Sequence, residues 1–247
     1  MKAAPFLLGL IALVLWEGAV RVWHVPAYLV PGPVAIWGAF SADAPLLLRS
    51  LLSTLAVTGL ALAASCVLGV VLACAMATSR WARAAVLPWA IVLQVTPIVA
   101  IAPLIIVWLD DPFASLVVCA TIVAFFPVFS NTAAGLAAAA PELLDLFRLH
   151  RAGRWQTLWL LRLPAAVPSF LAGLRISGGL ALVGAVVAEF VAGSGGFASG
   201  LAFRIVESGY RLQVPRMFAA LMLLSLAGIT IDTGLGWVQR RLLQRFG

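Results

Sequence analysis

Ser50 to Ser79 reads SLLSTLAVTGLALAASCVLGVVLACAMATS, without a single charged side chain. At about 1.5 Å per residue, a helix of that length exceeds the roughly 30 Å hydrocarbon core of a bilayer, so the stretch reads as a membrane span with length left over for tilt. The composition agrees: 64% of the 247 residues are hydrophobic, 10% are charged and the mean hydropathy is +1.11, too apolar for a soluble domain. Lipid offers the backbone no partners, so the expected fold is all-α and polytopic. Ser65, Gly69, Ala73 and Ala77 recur every four residues on one face of this span, a stripe that lets another helix backbone approach closely.

Working outward, Arg80 and Arg83 mark a short turn, and Ala84 to Leu109 reads as a third span ending at Asp110-Asp111. Pro97 and Pro103 should interrupt it twice, and carbonyls freed within a membrane need partners or a cavity to line. Gln94 and Thr96 are therefore candidates for a polar pathway, or simply cover the kink at Pro97. A fourth span runs from Pro112 to Pro141 and holds Asn131, suited to the pathway or to an interhelical hydrogen bond. A fifth runs from about Ala165 to Phe190, with Arg175 and Glu189 placed near interfaces and Glu189 kept as a pathway candidate. Met217 to about Trp237, interrupted by Asp232 near its inner end, makes a sixth. Before Ser50, about Pro5 to Trp23 reads as an uncleaved first helix in which Glu17 and Arg21 neutralise each other at i and i+4. Glu17 then reads as the one acid deep in a span. The Pro-rich VPAYLVPGPVAIWGAF (25–40) reads as an external, interfacial connection.

Placing both termini inside puts Lys2, Arg80, Arg83, Arg148, Arg151, Arg154, Arg162, Arg240, Arg241 and Arg245 in the cytoplasm. Arg21, Arg49, Arg204, Arg211 and Arg216 fall outside, which satisfies the positive-inside rule. The basic residues are scattered between apolar runs rather than gathered on a soluble face, so the excess of 16 Lys+Arg over 9 Asp+Glu is topological and points to no nucleic acid. Cys66, Cys74 and Cys119 all lie in apolar runs, which argues against disulfides and a metal site.

One long polar interval stands out, PELLDLFRLHRAGRWQTLWLLRLP from Pro141 to Pro164. Pro141 suits a first helical turn, with Glu142 and Asp145 near the positive end. Gly153 offers a break. After it Trp155, Leu158 and Trp159 share a face between Arg154 and Arg162, predicting a second short helix stopped at Leu163-Pro164. Two such helices form a bent, exposed docking knob on the cytoplasmic side.

At these residues the chain resembles the permease subunits of bacterial ABC importers, whose cytoplasmic loop reads E-A-A, three residues, G, nine residues, I-x-L-P. The register falls on Asp145-Leu146-Phe147, Arg151, Leu161 and Leu163-Pro164, with Arg151 where the family has glycine, so the bend is expected at Gly153 instead. TPIVAIAPLIIVW (96–108), FFPVFSNTAAGL (125–136) and AEFVAG (188–193) resemble later family segments, the last as in importers of nitrate, sulfonates and taurine and of thiamine-precursor pyrimidines and riboflavin. The resemblance implies a type I importer permease over 1–247, a single transmembrane domain of about six helices in the bacterial inner membrane, with 141–164 as its coupling loop. It also implies a homodimer, an ABC ATPase subunit carrying ATP and Mg, and an extracytoplasmic solute-binding protein. Glu142, Asp145, Arg148, Arg151, Gly153, Arg154, Trp155, Leu163 and Pro164 are then the expected ATPase-coupling residues. The solute is expected to be a sulfonate- or nitrate-like anion or a pyrimidine- or vitamin-like heterocycle.

Lys2 is the only lysine, so no phosphate-binding GxxxxGK[ST] loop exists here and no cofactor is expected in this chain. Gly193 to Gly200 is glycine-rich but lacks the spacing of a nucleotide fingerprint. No Ser/His/Asp set or paired carboxylate appears, which argues against an enzyme. An ion-gradient-driven transporter and a non-transporting scaffold are the alternatives.

Overall fold

The computed structural model describes residues 4–193 and 199–246. Its elements are α1 (Ala4–Val22), α2 (Pro33–Thr78), α3 (Arg80–Val95), α4 (Ile98–Leu109), α5 (Pro112–Ala137), α6 (Pro141–Leu149), α7 (Arg154–Thr157), a π turn (Leu158–Arg162), α8 (Leu163–Ala192), α9 (Leu201–Tyr210) and α10 (Val214–Phe246). There is no strand among the described residues. Lys2, the Arg245 side chain and 194–198, the middle of the glycine-rich segment, lie outside the described residues.

Pro33–Thr78, Pro112–Ala137, Arg154–Ala192 and Val214–Gln244 are each long and apolar enough to cross a membrane, and α3 with α4 makes a fifth crossing if the bent pair is one span. To these α1 adds 19 residues whose Leu7, Leu8, Ile11 and Leu15 are exposed, as on a lipid-facing helix. The chain is all-α and polytopic.

Three boundaries differ from the sequence reading. The expected connection at 25–40 is helical from Pro33, because proline is tolerated at the first helical position, and the helix continues through a kink at Asp43 (φ −110°, ψ 16°) two residues before Pro45. Arg80 and Arg83 sit in the first turn of α3 rather than in a turn between helices: Ser79 alone makes the connection, its Oγ accepting from Ala82 N–H at 3.3 Å. Finally, the helix from Arg154 is not stopped at Leu163-Pro164 but runs on to Ala192. In the π turn Leu163 N–H reaches back to Leu158 O, five residues earlier. Widening the turn there moves the carbonyls away from the Pro164 ring and absorbs its missing N–H.

The described residues cluster into two compact units, Met1–Thr54 with Gly193–Ala227 and Leu55–Ala192 with Gly228–Gly247. In the first, Glu17 does more than pair with Arg21 at 2.7 Å: its second carboxylate oxygen accepts from Val34 N–H at 3.1 Å, capping the positive end of α2. Glu207 on α9 receives Arg204 at 2.8 Å, Arg211 at 3.0 Å and Arg216 at 3.5 Å, and Arg216 also reaches Asp43 at 3.4 Å beside the kink. Burial pushes the Glu207 carboxyl up, but the three guanidinium groups outweigh it and hold it below its ordinary value.

The second unit is built on an antiparallel pair, α5 against α8, packed at glycines. A Cβ at Gly135 would stand 2.9 Å from Ala166 Cα, one at Gly173 2.6 Å from Pro127 O, and one at Gly184 2.9 Å from Ala120 Cα. Such close approach replaces the hydrophobic drive that helices lose in lipid. Ser177 Oγ donates to Ala124 O at 2.6 Å across the same seam. The stripe on α2 packs against α5 as its spacing predicts: Ser65 Oγ donates to Thr121 O at 3.1 Å, a Cβ at Gly69 would meet Val128 at 3.0 Å, and Ala73 lies buried with Phe125 and Phe129. Gly173→Ala is expected to cost about 1–3 kcal/mol, because the new methyl meets a backbone carbonyl that cannot move aside. Thermal unfolding in detergent measures this, with Gly179→Ala, at a position open on all sides, as the neutral comparison.

Candidate functional site

In the polar interval, α6 begins with Pro141 in its first turn and Glu142 one residue later, as the sequence predicts. Asp145 accepts from Arg148 Nη1 at 2.9 Å, one turn on. Leu143, Leu146 and Leu149 are exposed beside these charges, while Leu144 and Phe147 turn inward.

The bend forms at Arg151 and not at Gly153. Arg151 has φ +50°, its N–H bonds to Arg148 O, and Ala152 N–H bonds to Phe147 O, both at 2.9 Å. This pair of bonds closes a helix end on a left-handed residue, the conformation glycine adopts freely. Gly153, at φ −67°, is an ordinary cap whose N–H donates to Gln156 Oε1 at 2.9 Å. Spacing rather than residue identity therefore sets this turn, and Arg151 carries a left-handed cost of about 1–2 kcal/mol. Arg151→Gly is expected to remove that cost, seen as slower amide hydrogen exchange across α6.

Beyond the bend, Arg154 Nη1 lies 3.5 Å from Thr78 O and Arg162 Nη1 donates to Ala77 O at 3.0 Å. These are two of the carbonyls that the end of α2 leaves without helical partners. Trp155 is exposed, Leu163 packs on the core around Phe129, and Pro164 is exposed at the start of α8. Between the loop and the junction of α2 and α3 lies a cavity of about 1130 Å³, lined by Arg80, Arg83, Arg148, Arg154 and Arg162 among others. Five arginines assigned to the cytoplasmic side by charge counting thus meet around one space.

The third span breaks once, at Thr96-Pro97, where α3 and α4 meet at 105°. Pro103 lies inside α4 without ending it. At about 24 Å and 18 Å, neither helix crosses a 30 Å core alone. Thr96 Oγ1 donates to Val92 O at 2.6 Å, covering a carbonyl at the break. Gln94 and Thr96 line a cavity of about 320 Å³ with Ile122, Phe126, Pro127 and Leu180. The other pathway candidates do not line it. Asn131 Nδ2 donates within its own helix to Pro127 O at 2.9 Å rather than between helices, and Glu189 is buried on α8, 3% exposed.

Sequence reasoning missed an ion pair. Arg175 Nε and Nη2 donate to the two carboxylate oxygens of Asp232, each at 2.8 Å, and Gly236 leaves room for the guanidinium. Arg175 stands about 20 Å along the helix from Arg162, and Asp232 about 12 Å from Arg240. The two charges, read separately in the sequence, thus pair between α8 and α10. No spacing in the sequence marks the pair, since the two residues stand 57 positions apart on different helices.

Residues 65–244 match the family model described as binding-protein-dependent transport system inner membrane component. A probable ABC transporter permease protein of Haemophilus influenzae is 31% identical over 97% of this chain and 96% of its own length. The formylaminopyrimidine transport permease protein ThiX of Halalkalibacterium halodurans is 33% identical over 91% and 88%, and the riboflavin transport system permease protein RibX of Chloroflexus aurantiacus 31% over 95% and 87%. The crystal structure of an amino acid ABC transporter with histidines superposes with a TM-score of 0.67 at 19% identity, covering 82% of this chain and 96% of that one, a likeness of fold.

Proposed function

The chain belongs to the family of inner-membrane components of binding-protein-dependent transport systems, the permeases of ABC importers, and from that premise we propose that its 141–164 loop is the dock of a separate ATPase. The observation that carries this reading is mechanical. α7, the π turn and α8 form one helix of 39 residues from the loop into the membrane, and α8 is seamed to α5 by three glycine contacts. A push on α6 and α7 therefore moves the packed core as a lever, without a flexible hinge at Pro164.

In this reading Glu142, Asp145, Leu146, Arg148, Arg154 and Trp155 meet the ATPase, Arg151 and Gly153 fix the bend, and Leu163 and Pro164 join it to the lever. ATP and Mg are held by that partner, while a solute-binding protein delivers solute from the other side. A second copy of the chain completes the pathway. Gln94 at the broken span and the Arg175–Asp232 pair face the solute, and alternating access opens them to each side in turn. A pyrimidine- or flavin-like heterocycle is the favoured solute class, supported by the similarity to ThiX and RibX along nearly their whole lengths.

The test is purification from native membranes followed by uptake into vesicles. An ATPase should be recovered with the chain, and ATP with a binding protein should drive uptake of the heterocycle even when a protonophore has collapsed the ion gradient. Uptake that needs the gradient, or a chain recovered without any ATPase, overturns the proposal. ATP-driven uptake of a sulfonate alone would overturn the solute class and keep the rest.

A further inference from the structure

We propose that the cavity between the 141–164 loop and the junction of α2 and α3 holds the phosphate of an anionic phospholipid headgroup. Among the described residues, five arginines line it and no acidic residue does. Their guanidinium groups are unequally occupied. Arg148 is paired with Asp145, and Arg154 and Arg162 reach backbone carbonyls of α2. Arg80 and Arg83, in the first turn of α3, form no such bond among the described residues and carry undivided charge into the space. Arg162 Nε is buried with no hydrogen-bond partner, a donor that an anion in the cavity would satisfy. The N-terminus of α3 adds its own positive end at the same place.

The level of the cavity selects the source of the anion. Trp81, on its rim, is 87% exposed, and Trp159 is exposed on the adjoining helix. Exposed tryptophans of this kind sit at headgroup depth. Basic pockets between helices on the cytoplasmic side are where anionic headgroups bind. At about 1130 Å³ the space takes a glycerophosphate headgroup and not merely a free ion. Occupied, it would tie the end of α2 to the loop, so the lipid acts on the lever whatever protein docks below it.

The experiment is native mass spectrometry of the purified full chain, with phosphatidylglycerol, cardiolipin or phosphatidylcholine added. Cardiolipin or phosphatidylglycerol should be retained roughly tenfold more than phosphatidylcholine. Arg80→Gln with Arg83→Gln should abolish that preference, and Arg80→Lys with Arg83→Lys should keep most of it, separating lost charge from lost fold. Equal retention of phosphatidylcholine by the wild type, or an unchanged preference in the double Gln variant, overturns the proposal. In a parallel arm, inorganic phosphate is added to the wild type: thermal stabilisation by phosphate without retained anionic lipid would assign the cavity to a soluble anion and overturn the lipid assignment.

Discussion

Reversing Asp145 and Arg154 together, as Asp145→Arg and Arg154→Glu, is expected to lower ATPase recovery with the purified chain by roughly tenfold or more, since inverted charges across an interface cost several kcal/mol. Both residues lie on the exposed loop, and the side chain of Asp145 is 65% exposed beside its partner Arg148. The net charge of the loop is unchanged, because one substitution adds what the other removes. Inside the loop the cost is small: an arginine introduced in place of Asp145 makes a like-charge pair with Arg148 on a helix surface, worth a few tenths of a kcal/mol, and Arg154→Glu gives up the long 3.5 Å contact with Thr78 O. The chain should therefore still insert and elute as one species. Full ATPase recovery with the double reversal would remove the case for this loop as the dock.

The second large effect is expected at the ion pair. Asp232→Ala leaves Arg175 without the carboxylate that takes both of its donors. A lower unfolding free energy, measured in lipid nanodiscs, is the expected result. Exchanging the two as Arg175→Asp with Asp232→Arg should recover a large part of it, because the helices face each other closely at Gly178 and Gly236. The double-mutant cycle over Arg175→Ala and Asp232→Ala isolates the coupling. Wild-type stability in Asp232→Ala would show that the pair adds nothing to the fold. In transport terms, the proposed place of the pair on the solute side predicts that the same substitution slows ATP-driven uptake more than it slows ATP hydrolysis.

Much of the fold was legible because lipid leaves the chain few choices. The uncharged run from Ser50 to Ser79 had to be a helix, and the stripe of Ser65, Gly69, Ala73 and Ala77 had to find a neighbour, as it does on α5. Proline was harder to read. Pro33 and Pro141 start helices, Pro45 sits by a kink, Pro97 breaks a span through 105°, and Pro103 and Pro164 are passed over. The residue alone removes one N–H. Whether the helix ends depends on whether a cap, a π turn or a neighbouring backbone takes up the loss.

The loop shows the same division. Its position, charge pattern and start at Pro141 were in the sequence, but the bend was assigned to Gly153 because glycine is the residue that turns easily. Two hydrogen bonds from the end of α6 hold Arg151 at φ +50° instead. By itself, then, the sequence determined the membrane class and the stripe on α2. These follow from transfer of side chains out of water, a property each residue carries wherever it stands. Only the tertiary structure decided that Arg175 meets Asp232 across 57 positions, that five arginines share one cavity, and that the chain from Arg154 to Ala192 forms one helix. Those depend on which surfaces touch, and close packing at Gly135, Gly173 and Gly184 settles that only once the helices are assembled.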